Sequence, residues 1–176
     1  TLMRSSAASD VYKRQLLNGT LDMSLMGSVQ NEHHRNLAYQ HLGKDHFTAI
    51  VGNQSPFFKR EKIWFSELKN EKFLTFDSNF VHSEALKNFS KITNFRPNIV
   101  YQSNDAQVIQ EMVAQNVGVG FIANSALTTR PDIKALPFYD EDQPFFYMNL
   151  VQRKDRILSP NQQKIADLIY GNSLMK

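Results

Sequence analysis

Cysteine is absent from the 176 residues, which excludes a disulfide framework, a thiolate metal site and a cysteine nucleophile. No apolar run approaches the roughly 18 residues that a membrane-spanning helix needs, and no secretory signal is recognisable. These absences point to a cytoplasmic protein with no membrane partner. Basic residues are present but not clustered: 20 Lys and Arg are scattered among 17 Asp and Glu, for a formal charge of +3. The five-to-eight-residue basic stretch that grips nucleic acid is missing, so this segment does not read as a DNA-binding surface. There is no dinucleotide fingerprint either. Gly118-Val119-Gly120 follows a helical pattern and precedes a strand, whereas phosphate-cradling glycines come after a strand and open a helix. What remains is a globular composition, 41% hydrophobic and 21% charged, sufficient for one domain or two small lobes sharing a sheet.

Residues 1–15 (TLMRSSAASDVYKRQ) lack a sustained apolar period and resemble translated adapter sequence, so they read as a non-native leader outside the fold. From Leu16 the chain alternates elements. Leu16-Leu17-Asn18-Gly19 predicts a helix end and turn, followed by a strand over Asp22–Met26 that the preceding 15 residues cannot pair. An exposed sheet edge and poor solubility of the isolated segment follow from that. Asn31–Asn36 reads as a polar connector, Phe47–Val51 as a strand, Ile63–Leu68 as a short connection and Phe73–Phe76 as the next strand. Asp77-Ser78-Asn79 supplies three candidate caps for a helix carrying Leu86, Phe89 and Ile92 on one face. Asn98–Tyr101 is a further strand.

Gln102–Ile122 holds a whole unit. Ser103 or Asn104 can cap a helix, with Gln107 completing a capping box, and Val108, Ile109, Met112 and Val113 form an apolar stripe. Asn116 and Gly118 tolerate a left-handed backbone and mark the helix end, and Val119–Ile122 is a buried strand. Ile133–Phe138 and Phe145–Val151 read as strands separated by the charged turn Asp140–Pro144. Ser159-Pro160 then opens a final helix with Ile165, Leu168 and Ile169 on one face. Strands separated by helices imply an α/β fold with largely parallel pairing.

Three residue groups invite a chemical reading and do not sustain it. Glu32, His33 and His34 contain metal-binding types, but adjacent histidines point to different sides and no spaced third ligand follows; a solvated loop is the expectation, with no metal. Asp77, Ser78 and His82 hold the residue types of a hydrolase triad without a nucleophile elbow, so no enzyme is expected. Trp64, Phe65 and the other aromatics among the 13 Phe read as core and lobe-interface packing. No cofactor motif is present.

The order of these strings resembles the effector-binding domain of LysR-type transcriptional regulators over Leu16 to Gly171. Met112-Val113-Ala114-Gln115-Asn116-Val117-Gly118-Val119-Gly120-Phe121-Ile122 is similar to the family's helix ending Val-Ala-Ala-Gly-x-Gly before a strand. Gly19-Thr20-Leu21-Asp22 resembles its Gly-x-Leu-Asp, Asp45-His46-Phe47 through Ser55-Pro56 its strand and turn, and Glu67-Leu68-Lys69-Asn70-Glu71 its entry to the second lobe. Asn116 departs from the usual glycine, and Ala123 stands where many relatives have proline.

The resemblance implies a type II periplasmic-binding-protein-like fold of two lobes joined by crossing strands. Lobe I would comprise 16–70 and 145–176, lobe II 71–144, and lobe I would be incomplete because its first strand and helix, a linker helix and a winged helix-turn-helix lie outside this sequence. It implies a homo-oligomer, dimer or tetramer, that meets DNA only through that helix-turn-helix, and a small anionic effector held between the lobes. The effector site would comprise Gly27 and Ser28, Thr75, Phe76, Asp77 and Ser78, Gln102, Ser103 and Asn104, and Phe121. Helix N-termini there present free N–H groups and a positive dipole end. A periplasmic solute-binding protein of the same fold is the alternative function.

Overall fold

A computed structural model describes residues 7–29 and 34–171. Glu32, His33 and the start of the connector expected over Asn31–Asn36 lie outside the described residues. The chain divides into two compact units, residues 1–45 with 146–176, and residues 46–145.

In the first unit, helix α1 (Ala7–Leu17) runs through part of the stretch that reads as a leader and ends in a turn with Gly19 at φ 80°. Strand β1 (Met23–Ser28) pairs antiparallel with β7 (Phe145–Arg153), in register from Met23 opposite Gln152 to Ser28 opposite Tyr147. The first half of β2 (Leu37–Gly52) lies on the other side of β7, leaving β1 at the sheet edge among the described residues, with Leu25 exposed. Leu16, Met26, Leu37 and Val151 form one apolar cluster under α1. Helix α4 (Pro160–Gly171) starts as its sequence predicts: Ser159 N donates to Gln162 Oε1 at 2.8 Å and Ser159 Oγ accepts from Gln162 N at 3.4 Å, a reciprocal cap. Its buried face differs from the expectation. Ala166 and Ile169 pack on Leu42 and Leu150, while Ile165 and Leu168 face outward.

The second unit is a sheet in the order β2-β5-β3-β4, with β6 (Ile133–Pro137) also on β2. Strand β3 (Lys72–Phe76) lies between β4 (Asn98–Ser103) and β5 (Val119–Ala123) and is parallel to both. Pairing of β2 with β5 and β6 is antiparallel, so the sheet is mixed where parallel pairing was expected. The reason is β2 itself. Its 16 residues form one strand where only Phe47–Val51 reads as one, because Gln40, His41, Lys44 and Asp45 break the apolar pattern that marks a strand. The same strand moves the division of the chain: residues 46–70, placed in the first lobe from sequence, belong to the second unit, where Thr48–Gly52 pair with β6 and Ile63, Phe65 and Leu68 are fully buried.

Helix α2 (Val81–Ile92) and helix α3 (Ala106–Ala114) connect the parallel strands. An aromatic core lies beneath α2: Phe65 stacks on Phe89 at 4.2 Å between centroids and meets Phe73, Phe121 and Phe138 edge-on. Trp64, expected in this core, is half exposed against Tyr139. Beneath α3, Ile109 and Val113 pack on Ile50, Leu74 and Ile122, while Val108 at the end of the expected stripe is exposed. Asn116 ends α3 at φ 57°, with Asn116 N donating to Val113 O and Val117 N to Met112 O, the paired bonds of a Schellman turn. Its Oδ1 also accepts from Gln54 N at 3.0 Å, tying the helix end to the turn after β2. Gly118 has no room for a side chain, since a Cβ there would strike the Lys72 carbonyl.

Among the described residues no helix is long and apolar enough to cross a membrane, and no group of three His, Asp or Glu could hold a metal ion.

Candidate functional site

The carboxyl ends of β3 and β4 lie side by side because the two strands are parallel and in register, Thr75 opposite Gln102 and Phe76 opposite Ser103. Two bonds lock the ends together: Asp77 N donates to Ser103 O at 3.1 Å, and Gln102 Nε2 donates to Phe76 O at 3.2 Å. Strand ends of this kind, each running into a helix, are where open α/β sheets place ligands. Seven of the sequence-predicted site residues are thus brought together: Thr75, Phe76, Asp77, Ser78, Gln102, Ser103 and Asn104. Ser78, Gln102 and Asn104 are exposed, Asp77 and Ser103 partly buried, and Thr75 and Phe76 buried.

The caps differ from the sequence prediction. Helix α3 is capped by Asp105, whose carboxylate accepts from Gln107 N at 2.7 Å, one residue beyond the Ser103 or Asn104 expected. Ser103 Oγ instead accepts from Asp105 N at 3.1 Å. Helix α2 begins after Phe80, whose side chain makes no capping bond. Asp77 forms an Asx turn onto Asn79 N at 2.9 Å and its carbonyl takes Phe80 N. A competing local turn therefore displaced the helix start that three polar residues in a row suggested.

Two aspartates accordingly occupy the N–H groups of Asn79 and Gln107, and hydroxyls are among the donors beside them. Ser103 Oγ accepts a bond and keeps its proton. Thr75 is fully buried, and its Oγ1 has no hydrogen-bond partner among the described residues. A buried hydroxyl without a partner costs about 1–3 kcal/mol, which makes Thr75 the most conspicuous polar group in the strand Lys-Phe-Leu-Thr-Phe.

Of the other predicted residues, Phe121 follows Gly120, the β5 partner of Leu74, and so lies one step along the strands beside Thr75. Phe121 is buried in the aromatic core, stacked on Phe47 at 5.1 Å. Gly27 and Ser28 end β1 in the first unit, with the Phe146 ring packed where a Gly27 Cβ would be. His82, in the first turn of α2, stacks on Phe76 at 4.0 Å and meets Phe47 edge-on at 5.4 Å. Burial pushes its pKa down from 6.5 to about 4, so the ring is neutral at pH 7.

Beside Asp105 a pocket of about 400 Å³ is lined by Gln107, Gln110, Glu111, Thr128 and Arg130. Gln110 was not singled out in the sequence, yet its buried amide holds the pocket wall, donating to the carbonyls of Ala106 and Ala126 and accepting from Thr128 N at 2.9 Å. Arg130 forks onto Asp132 at 2.7 Å and reaches Glu111 at 2.8 Å. Its bonds hold both carboxyls below the usual carboxylate range, and its charge is consumed internally.

Known proteins share this fold. The solved effector binding domain of QuiR in complex with shikimate matches with a TM-score of 0.77 at 16% identity, over 98% of this chain and 80% of that one. The Synechocystis PCC6803 CcmR regulatory domain in complex with 2-PG matches with 0.79 at 14% identity, over 94% and 80%. At these identities the likeness shows the fold, which is that of type II periplasmic binding proteins. In sequence, the malolactic fermentation system transcriptional activator of Lactococcus lactis subsp. lactis (strain IL1403) is 30% identical over 157 residues, 88% of this chain and 53% of that protein. A probable RuBisCO transcriptional regulator of Trieres chinensis is 26% identical over 129 residues, 70% of this chain and 42% of that protein. The chain spans about half the length of these curated relatives. The LysR substrate binding domain profile matches residues 5–172, nearly the whole sequence, and with that match the chain belongs to the LysR substrate-binding-domain family.

Proposed function

We propose that this domain senses a small anionic effector at the carboxyl ends of β3 and β4 for a LysR-type transcriptional regulator. The observation that carries the reading is the pair of locked strand ends, with the buried Thr75 hydroxyl, without a partner among the described residues, in β3 and Ser78, Ser103 and Asn104 at or just after the strand ends. With the Asn79 and Gln107 N–H groups taken by Asp77 and Asp105, the ligand's carboxylate or hydroxyl oxygens are received by the hydroxyls together with the remaining N–H groups at the strand ends. The shikimate and 2-PG complexes of neighbouring structures support a small ligand at this fold. Both curated relatives named above are transcriptional regulators, and neither is a solute-binding protein, so the transport alternative has no support there.

In this reading the domain works in the cytoplasm as part of a homo-oligomer that meets DNA through a helix-turn-helix beyond this sequence. The work available to signalling is the effector's differential affinity for the regulator's two states. No reacting group enters, and the protein acts as a binder and not as an enzyme.

A thermal-shift screen of hydroxy and dicarboxylic acids tests this, since a ligand that binds the folded state raises the midpoint. Replacing Thr75 by Val keeps the shape and removes the orphan hydroxyl. The variant should be as stable as the wild type or more so without ligand, and should bind the identified acid about tenfold more weakly, the worth of one hydrogen bond. Ser78→Ala, at an exposed site, should weaken binding with no change in unliganded stability. Unchanged affinity in both variants would refute the site.

A further inference from the structure

We propose that the first unit carries a ligand site of its own, at the carboxyl end of β7, that takes the phosphate group of a small phosphorylated metabolite. A pocket of about 460 Å³ opens there, lined by Leu17, Arg35, Asn36, Arg153, Lys154 and Asp155, a volume within the range of small-molecule sites. Two turns build it. His34 O accepts from Leu37 N at 3.0 Å, which sets Arg35 and Asn36 at the corner before β2, and Arg153 O accepts from Arg156 N at 3.2 Å, which sets Lys154 and Asp155 at the corner after β7. Lys154 N donates to Asn36 O at 3.0 Å and fastens one turn to the other. Arg153 is held too: Nη1 donates to Leu17 O at the end of α1, at 3.4 Å, and Nε lies 2.6 Å from Asp155 Oδ1, so Nη2 is spent in neither contact.

Charge and donor type select the occupant. Arg35 and Lys154 are exposed and lie in no ion pair among the described residues, whereas Arg153 shares Asp155. Arg35, Arg153 and Lys154 against the one carboxylate of Asp155 leave two positive charges over in the pocket. A ligand with a single carboxylate neutralises half of that. A phosphate monoester carries about −1.5 to −2 at pH 7 and offers three acceptor oxygens, and guanidinium forks beside an ammonium are the donors that suit it. The phosphodiesters of DNA carry one charge each and also fall short. The volume leaves room for the carbon body of a metabolite beyond its phosphate.

This site is separate from the one at the ends of β3 and β4, which belong to the second unit. Within the first unit it is also remote from Gly27 and Ser28, which pair with Met148 and Tyr147 near the start of β7, roughly 20 Å along that strand from Arg153.

Amide NMR of the ¹⁵N-labelled 176-residue chain, titrated with glycerol 3-phosphate at pH 7.5 and constant ionic strength, tests the proposal. Saturable shifts should concentrate in residues 34–37 and 153–156. Acetate and dimethyl phosphate, each with one charge, should bind at least tenfold more weakly, and so should a short DNA duplex compared per phosphate. Arg35→Gln with Lys154→Gln, both at exposed positions, should weaken glycerol 3-phosphate at least tenfold, while Lys69→Gln in the second unit should bind as the wild type does. Overturning results are no saturable shift in those two turns, equal affinity in the double variant, or acetate, the diester or the duplex binding as well as the monoester. Shifts confined to Thr75–Ser78 and Gln102–Asn104 would also overturn it, while leaving the effector site proposed above intact.

Discussion

Acid should weaken the second unit through one identifiable group. His82 is wedged between the Phe76 face and the Phe47 edge, and burial brings its pKa from 6.5 to about 4. In the unfolded chain the imidazole takes a proton near pH 6.5, whereas in the folded chain it resists until about pH 4. Between those values the unfolded state binds more protons, so stability falls as pH falls. The contribution is fully present above pH 6.5, declines from there to about pH 4 and changes no further below it. At about 1.4 kcal/mol per pKa unit, the interval amounts to about 3 kcal/mol, a large part of the 5–15 kcal/mol typical of a domain. Urea unfolding at pH 7.5, 6, 5 and 4.5 for the wild type and for His82→Leu measures it. Carboxylates and other histidines titrate in both proteins, so the difference between the two pH profiles isolates His82. That difference should grow by about 3 kcal/mol in favour of the variant on going from pH 7.5 to the acid end. Parallel profiles, or a His82 ring signal that titrates near 6.5 in the folded protein, would refute the reasoning.

Two further substitutions test the packing that positions the site. Asn116→Ala forces alanine into a backbone of φ 57° and removes the bond to Gln54 N, for about 2–3 kcal/mol in denaturant unfolding, whereas Asn116→Gly keeps the backbone and should cost about 1 kcal/mol. Phe65→Ala opens a cavity among four buried rings and should cost about 3–5 kcal/mol by the same measurement.

How much of this was legible in the chain depends on the range of the interactions involved. The α3–β5 unit could be read because its determinants are local: an apolar stripe, Asn116 for the left-handed turn and Gly118 for the close approach to Lys72. Ser159-Pro160 likewise announced α4. The first half of β2 could not be read, because a strand that passes from one unit into the other shows water and core to alternate stretches, and Gln40 to Asp45 look like a loop. That one strand also turned the expected parallel sheet into a mixed one. At the site, the position of Thr75 in a strand followed from pattern, whereas Ser103, read as a helix cap, ends β4, and the contact of His82 with Phe47 joins residues 35 positions apart.

The central claim is that an effector is bound by the ends of β3 and β4. A crystal structure of the domain with the strongest stabiliser from the acid screen tests it most directly. The account predicts ligand oxygens within 3.5 Å of the Thr75 or Ser103 hydroxyl. A bound, stabilising acid that contacts neither Thr75–Ser78 nor Gln102–Asn104 would contradict it.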